Sequence, residues 1–379
     1  MKKATNSLYM QIYLDVRNDI LAGMYDNNQK LPTESDLAKK YFVSRITSKK
    51  AMNMLADENI IIRVKGRGSY VAPHLCREKL KSKDGEKKVI GIILSDVSNS
   101  FGQGILLRIE KECREHGYLC LFFRSDGDQD VEQQTINSMI ECGVSGIIII
   151  PVHGVYYNPT ILRLVLDGFP IVVVDRDLRG IPTNFVGTDN VAAAKALMDY
   201  LIELGHTKIS IYSLNTQKTS SLEDRMEGAR QSMEEHGISI PPHYFFTEIC
   251  SALPGNYTQE NAAKDHLAIK AHLKNNPEIT AIFAMEYQVA VMVKMAAKEL
   301  GILQNMVITC FDSPRQDKRF AFYNEPAYEF AHIRQDEDRI GEEAFRLLLS
   351  IMSTTADKEA TKIFLPYAIY PSSPYSQCP

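Results

Sequence analysis

Ser44, Arg45, Thr47 and Lys49 stand within six residues of one another, and a second polar group, Lys65-Gly66-Arg67, follows between two short apolar runs. Arg45 carries a planar guanidinium able to donate two parallel hydrogen bonds to guanine O6 and N7, and Lys49 can donate to the same edge or to a phosphate. Ser44 and Thr47 are short hydroxyls suited to phosphate oxygens, and Glu34 can accept from a cytosine amine. A tip with two cations and two glycines, Lys65 to Gly68, can bring its backbone close to the sugars of a minor groove. These residue types in this order are the chemistry of duplex DNA recognition.

Two helices and a hairpin must position them. Pro32 has no backbone N–H to lose and Thr33 is a good N-cap, so a short helix is predicted through Glu34, Leu37 and Ala38. A second helix opens at Val43-Ser44 with Ser44 as its cap. Ile46, Ala51, Met54 and Leu55 are predicted to face inward, which leaves Arg45, Thr47, Ser48 and Lys49 outward as a recognition helix presents them. Ile60-Ile61-Ile62 and Ser69-Tyr70-Val71 read as the two strands of a wing, joined by the glycine-rich turn.

Three separated phrases, LPTE, VSRIT and GRGSYV, give residues 8 to 73 a resemblance to the DNA-binding domain of the GntR family. The resemblance implies a winged helix-turn-helix over residues 1–73 that binds a double-stranded operator through Glu34, Ser44, Arg45, Thr47, Lys49, Lys65, Gly66 and Arg67. Ser35 departs from the pattern, because many members place an Arg there. Charge divides the chain in the same way. Residues 1–88 hold 18 Lys/Arg against 10 Asp/Glu, a balance of +8, so the remainder must carry −12 to reach the whole chain's −4. Between the two parts, His74 to Lys88 holds seven basic side chains, His74 among them, and three acidic ones, and is expected to be a solvated linker.

A chain of 379 residues, 45% of them hydrophobic, can bury the cores of two or three domains. The N-terminus has no apolar signal region and no run approaches the roughly 20 apolar residues of a membrane span, so a cytoplasmic protein without a membrane partner is expected. Seven cysteines without CxxC spacing suit reduced thiols, and no metal or cofactor is expected. Neither a P-loop, a dinucleotide fingerprint nor a nucleophile elbow is present, and the chain is not expected to be an enzyme.

From Lys88 onward apolar strands alternate with amphipathic helices. Strands are predicted at Val89–Leu94, Leu119–Arg124, Gly146–Ile150, Ile171–Val174, Lys208–Tyr212, Ala281–Met285 and Met306–Thr309, which describes a parallel α/β architecture. Doubly wound sheets place ligands at the carboxyl ends of their strands. The residues there are Ser95-Asp96, Asn99-Ser100-Phe101, Ser125-Asp126, Pro151-Val152-His153, Asp175-Arg176-Asp177, Ser213, Glu286-Tyr287 and Asp312-Ser313.

Phrases including IGIILSDVSNSF, VSGIIIIP, PIVVVDRDL, FVGTDN, SLEDRMEGAR, VITCFDSP and HIRQDEDRIGEEAFRLLL give residues 88 to about 370 a resemblance to the effector-binding core of the LacI/GalR repressors, itself related to periplasmic sugar-binding proteins. The combination of heads resembles the arabinose repressor group. It implies a two-lobed core over 89–379, a homodimer, and repression of carbohydrate genes relieved by a small sugar such as L-arabinose or another neutral monosaccharide. Asp175, Arg225, Asp312 and Gln335 match the family positions that hold sugar hydroxyls, with Ser221 and Ser95 as further candidates. Glu286-Tyr287 replaces the Asn-Asp of most members, so the ligand can differ from the usual one; Tyr287 or Phe101 could stack on a sugar ring. A nucleoside, amino sugar or sugar phosphate effector, an activator, and a solute-binding protein are the alternatives.

Overall fold

In the computed structural model, the described residues are 8–21, 24–25, 30–57, 60–64, 67–71, 81–82, 85–86, 88–97, 100–154, 158–313, 329–353 and 359–372. The chain separates into two compact units, with the boundary along the sequence at Lys88–Val89.

The first unit packs helices α1 (Leu8–Leu21), α2 (Glu34–Lys40) and α3 (Arg45–Asp57) with the antiparallel strands β1 (Ile61–Val64) and β2 (Gly68–Val71). Its core is Ile12, Val16, Ile20, Leu37, Ala51, Met52, Leu55, Ile61 and Val71. Helix α2 starts where Thr33 predicts, through a capping box: Thr33 Oγ1 accepts from Asp36 N at 3.2 Å and Asp36 Oδ2 accepts from Thr33 N at 3.0 Å. Leu31 N donates to Ser69 O at 2.8 Å, which ties the segment before α2 to the wing.

The inward face of α3 differs from the expectation. Ile46 is 81% exposed, whereas Ser48 is fully buried beside Ala51, Met52 and Leu55. The spacing 48, 51/52, 55 keeps one helical stripe against the core, and Ile46 lies on the opposite side of it. Ser48 is admitted because its hydroxyl donates to Glu34 O at 2.7 Å, which fastens α3 to the start of α2. A two-residue pairing, β3 (Lys81–Ser82) with β4 (Gly85–Glu86), is the described structure in the segment expected to be a linker.

The second unit is two parallel α/β lobes. In chain order it holds β5 (Val89–Leu94), α4 (Ser100–Glu115), β6 (Leu119–Arg124), α5 (Gln129–Glu141), β7 (Gly146–Ile149), α6 (Pro159–Leu166), β8 (Ile171–Val174), β9 (Asn184–Thr188), α7 (Asn190–Glu203), β10 (Ile209–Leu214), α8 (Ser220–Glu235), β11 (Phe245–Ile249), α9 (Gln259–Asn275), β12 (Ala281–Ala284), α10 (Tyr287–Glu299), β13 (Val307–Phe311), β14 (Ala331–Gln335), α11 (Glu337–Met352), β15 (Lys362–Leu365) and β16 (Tyr367–Tyr370). The first lobe's sheet runs β15-β9-β8-β7-β5-β6 and is parallel throughout. The second runs β11-β10-β12-β13-β14-β16, parallel except for the antiparallel edge strand β16. Every residue of β5, β7, β8, β10 and β12 is buried, as helices on both faces of a parallel sheet require.

The chain passes between lobes three times, at Asp189, Asp336 and Pro366, because α11 returns to pack on α4 and β15 pairs with β9. Asp189 and Asp336 each cap the helix that follows, accepting from Ala192 N and Arg339 N at 3.0 Å. Helix α7 stops in a Schellman turn at Gly205 (φ 90°), with His206 N donating to Leu201 O and Gly205 N to Ile202 O. The His206 ring then reaches Thr280 Oγ1 at 2.9 Å. Among the described residues of the second unit, five strands escaped the sequence reading: β9, β11, β14, β15 and β16. Each is short, carries polar residues or lies at a sheet edge, so it lacks the continuous apolar run by which inner parallel strands are recognised. Among the described residues no helix is long and apolar enough to cross a membrane.

Helices α7 and α8 approach so closely that a Cβ at Gly228 would sit 2.0 Å from Val191 O. Gly228→Ala should therefore force the pair apart and destabilise the second unit by about 1–3 kcal/mol, read as a lower urea midpoint; an unchanged midpoint would mean that the helices are not held at this distance.

Candidate functional site

The exposed face of the first unit is built on the N-terminal turn of α3. Ser44 precedes the helix, and its Oγ accepts from Thr47 N at 3.2 Å and lies 2.8 Å from Thr47 Oγ1. Arg45, Ile46 and Lys49 project into solvent, with Phe42 beside them at φ 54° and 95% exposed. Two cations and two apolar groups on one face suit base edges together with thymine methyls. Ile46 and Phe42 were missed as surface groups because apolar residues next to a helix read as core. Glu34, expected at the same surface, instead lies 3.5 Å from Arg63 of β1 and is partly covered. Arg67 is exposed at the wing and its amide closes the turn onto Val64 O at 2.9 Å; Lys65 and Gly66 lie outside the described residues.

The second unit encloses a cavity of about 450 Å³ between its lobes, at the carboxyl ends of the strands. Of the residues expected at the effector site, Ser95, Phe101, Asp175 and Glu286 line it. Asp175 follows β8 with φ 65°, and Asp126 after β6 and Asp312 after β13 take the same left-handed conformation at φ 50° and 63°. Asp tolerates this region better than most residues because its short carboxylate can bond locally. Three aspartates are thus turned out of their strands at equivalent places.

Arg176 organises the first lobe's side of the cavity. One of its amino groups donates to Ser95 Oγ at 3.0 Å and to Pro151 O at 2.6 Å, while Nε lies 3.5 Å from Asp175 Oδ2 without good hydrogen-bond alignment. The loop after β7 is held from beneath by Glu132 on α5, which accepts from Val152 N at 2.8 Å and Asn158 Nδ2 at 2.6 Å. Burial pushes the Glu132 carboxyl up to about 7 despite those two donors. His153, on the same loop, lines the cavity and is held well below its ordinary value by burial, with Arg176 and Arg225 adding to the effect.

Arg225, Asp312 and Gln335 come together without lining the cavity. Arg225 is buried on α8, with Nε donating to Asn190 Oδ1 at 2.9 Å, an amino group to Met285 O at 2.7 Å, and its guanidinium 4.0 Å from the centre of the Phe311 ring. Gln335 Nε2 donates to both Asp312 oxygens at 3.1 Å. Asp312 is pushed up to about 7 by burial, with Arg225 and Gln335 pulling it back, and burial likewise raises Glu286 against the pull of Arg225 and Arg176. Asp175 Oδ1 and Gln335 Oε1 are buried acceptors without a hydrogen-bond partner. Such atoms are rare in a finished fold and mark places where a bound hydroxyl could donate.

Ser221 is buried in the first turn of α8, outside the cavity lining. Tyr287 packs edge-on against Phe330, 5.9 Å between ring centres, and Gln288 lines the cavity in its place. Tyr257, 74% exposed, supplies an aromatic ring that the sequence reading missed, together with the whole segment Ser251–Gly255 that lines the same wall. The missing signal was β11: without that edge strand, the loop following it is not recognisable as a strand end. Among the described residues no cluster of His, Cys, Asp and Glu is arranged to hold a metal ion.

Asp312 also predicts a pH effect with a definite sign. Its proton is favoured in the fold, so the stabilisation is complete below the ordinary value of 3.8 and is lost as pH rises through about 7. The stability difference between the wild type and Asp312→Asn, which has no such proton, should shrink in the wild type's disfavour from about pH 5 to about pH 8 in urea denaturation. A difference independent of pH would contradict the burial of this carboxyl.

Comparison with known proteins agrees with both units. Residues 8–71 match the bacterial regulatory proteins of the gntR family, and residues 90–355 match the periplasmic binding protein domain. The chain is 24% identical over 384 residues to the arabinose metabolism transcriptional repressor of Geobacillus stearothermophilus, covering 98% of this chain and 99% of that one. It is 23% identical to the ribose operon repressor of Haemophilus influenzae, over 91% of this chain and 99% of the relative. A LacI family transcriptional regulator from Enterococcus faecium, solved with bound ribose, shares the core fold at a TM-score of 0.56 and 20% identity, over 75% of this chain and 97% of that structure. The chain therefore belongs to the periplasmic binding protein domain family and carries a gntR-family domain ahead of that core.

Proposed function

We propose that this chain is a transcriptional repressor of carbohydrate-utilisation genes, in which the first unit binds an operator and a small neutral sugar in the cleft of the second releases it. The observation that carries the reading is the state of the cleft's charges. Arg124 is paired with Asp126 at 3.2 Å, Arg176 is committed to Ser95 and Pro151 O, and Arg225 to Asn190 and Met285 O. A phosphorylated effector needs cations to spare, and each of these three already holds partners, with Arg176 Nε the donor left without a hydrogen bond. What the cleft and its floor offer is the Glu286 and Asp312 carboxyls, whose neutral form burial favours and which can then donate, and the unpartnered oxygens Asp175 Oδ1 and Gln335 Oε1, which accept from hydroxyls. The relatives' names, arabinose and ribose repressors, support the same class, and arabinose or another neutral monosaccharide is the effector we favour.

In this reading Ser95, Phe101, Asp175 and Glu286 face the sugar, Arg225, Asp312, Gln335 and Ser221 hold the floor behind it, and Tyr287 is a packing residue. Arg45 and Lys49 read base edges, Ser44 and Thr47 meet phosphates, and Lys65, Gly66 and Arg67 contact the minor groove; Glu34 serves chiefly to hold Arg63. The protein acts in the cytoplasm as a homodimer, because a pseudo-palindromic operator needs two heads. It binds and releases rather than catalyses. Coupling of about 1–3 kcal/mol between sugar and operator would change operator affinity about 5–150-fold.

Arg45→Ala should abolish binding to an operator selected from a random duplex pool, in a gel-shift assay, while leaving the thermal stabilisation by sugar intact. Asp175→Ala should do the reverse: the operator remains bound and no sugar in a panel of neutral monosaccharides releases it. Normal release in Asp175→Ala would remove the cleft from the account.

A further inference from the structure

The two lobes meet at a pair of turns that only glycine permits. Gly127 (φ 76°) follows Asp126 in the turn after β6 of the first lobe, and Gly255 (φ 75°) follows Pro254 in the loop after β11 of the second. A Cβ at Gly127 would lie 2.6 Å from Pro254 O, and a Cβ at Gly255 would lie 2.3 Å from Asp126 O. Each glycine is thus pressed against the backbone carbonyl that precedes the other, and neither carbonyl can swing away as a flexible side chain would. Asp126, Pro254 and Gly255 also line the cavity, so the contact is one of its walls.

We propose that Asp126-Gly127 and Pro254-Gly255 form a reciprocal backbone latch that holds the cleft shut. The proposal rests on the effector reading only for its consequence, which is that sugar is retained behind this wall; the latch itself is a property of the lobes. Both sides have rigid roots. The second lobe's loop is anchored where Asp265 Oδ2 accepts from Cys250 N at 3.0 Å and Ser251 N at 2.7 Å, and at its far end Asn261 Nδ2 donates to Asn256 O at 2.9 Å. The first lobe's turn is closed by Asp128 N donating to Ser125 O at 2.9 Å, and Asp128 Oδ1 accepts from Asp130 N and Val131 N at the start of α5. With both roots fixed, an added methyl has to be relieved by separating the lobes. Elsewhere along the same boundary the contacts are polar and more yielding: Gly154 N donates to Thr219 Oγ1 at 3.1 Å, and Arg179 pairs with Glu223 at 2.9 Å.

Hydrogen exchange on the full-length, ligand-free protein separates this from mere backbone strain. Gly117 has the same conformation (φ 75°) with nothing within 4 Å of its would-be Cβ, so Gly117→Ala carries the strain without the clash. Gly255→Ala should speed exchange in the untouched turn 125–128 by roughly tenfold or more, Gly127→Ala should do the same to 251–257, and Gly117→Ala should change neither. Exchange across the cleft that stays at the wild-type rate in both latch variants would overturn the proposal. Titration with L-arabinose, read by thermal shift, gives the second arm: weaker stabilisation in the latch variants than in Gly117→Ala supports the latch as a retaining wall. Equal stabilisation in all three removes that role. An absence of response to L-arabinose in the wild type counts against that choice of effector, and the exchange result still decides the latch.

Discussion

Bringing carboxyls together away from water is the constraint on which the second unit depends. Asp175, Glu286 and Asp312 stand at the carboxyl ends of β8, β12 and β13, where desolvation penalises the charges of Glu286 and Asp312 and the nearby Asp175 carboxylate adds to both penalties. Arg176 and Arg225 make the arrangement tolerable, and the hydrogen bonds that fix both go to groups that are not carboxylates: Ser95 and Pro151 O for one, which also stands 3.5 Å from Asp175, and Asn190 and Met285 O for the other. The cations are therefore fixed by the backbone and by neutral side chains, which leaves the carboxyl oxygens partly unspent. In the proposed function these under-satisfied acceptors are what a ligand that brings hydroxyls would meet.

The parallel topology supplies this geometry at little local cost. Aspartates just past the strands adopt left-handed backbone conformations that turn them out of the sheet, and two of the three crossovers between lobes are helix caps, Asp189 and Asp336. The first unit uses the same economy on a smaller scale. Ser44 caps α3 and lies at the surface that Arg45 and Lys49 share, so the group that starts the helix also belongs to the face it presents.

Much of this was legible in the sequence because the signals were local. Apolar runs such as VIGIIL and IVVV mark strands buried on both faces, Thr33 marks a helix start, and polar residues after those runs mark the strand ends, which is how Ser95, Asp175 and Glu286, all lining the cavity, are picked out from spacing. What escaped depended on tertiary packing. Ile46 is apolar yet exposed, because the phase of α3 is set by Ser48, whose hydroxyl finds Glu34 O fourteen residues away. Tyr257 and Gly255 follow an edge strand hidden by its two adjacent exposed polar residues, Thr247 and Glu248, and Glu132 is a helix residue whose two donors lie on a distant loop. Tyr287 looked like a stacking group from its place after β12, but the ring turns to Phe330.

The central claim is that one free energy links operator and sugar. Thermodynamic reciprocity makes it measurable from either side: whatever factor the sugar takes from operator affinity, the operator must take from sugar affinity. The most direct test is therefore isothermal titration of the effective sugar into the protein alone and into the protein saturated with its selected operator. The account predicts weaker sugar binding in the complex, by the same factor that the sugar weakens operator binding. Sugar affinity identical with and without operator would show that cleft and head are not coupled, and would contradict the account.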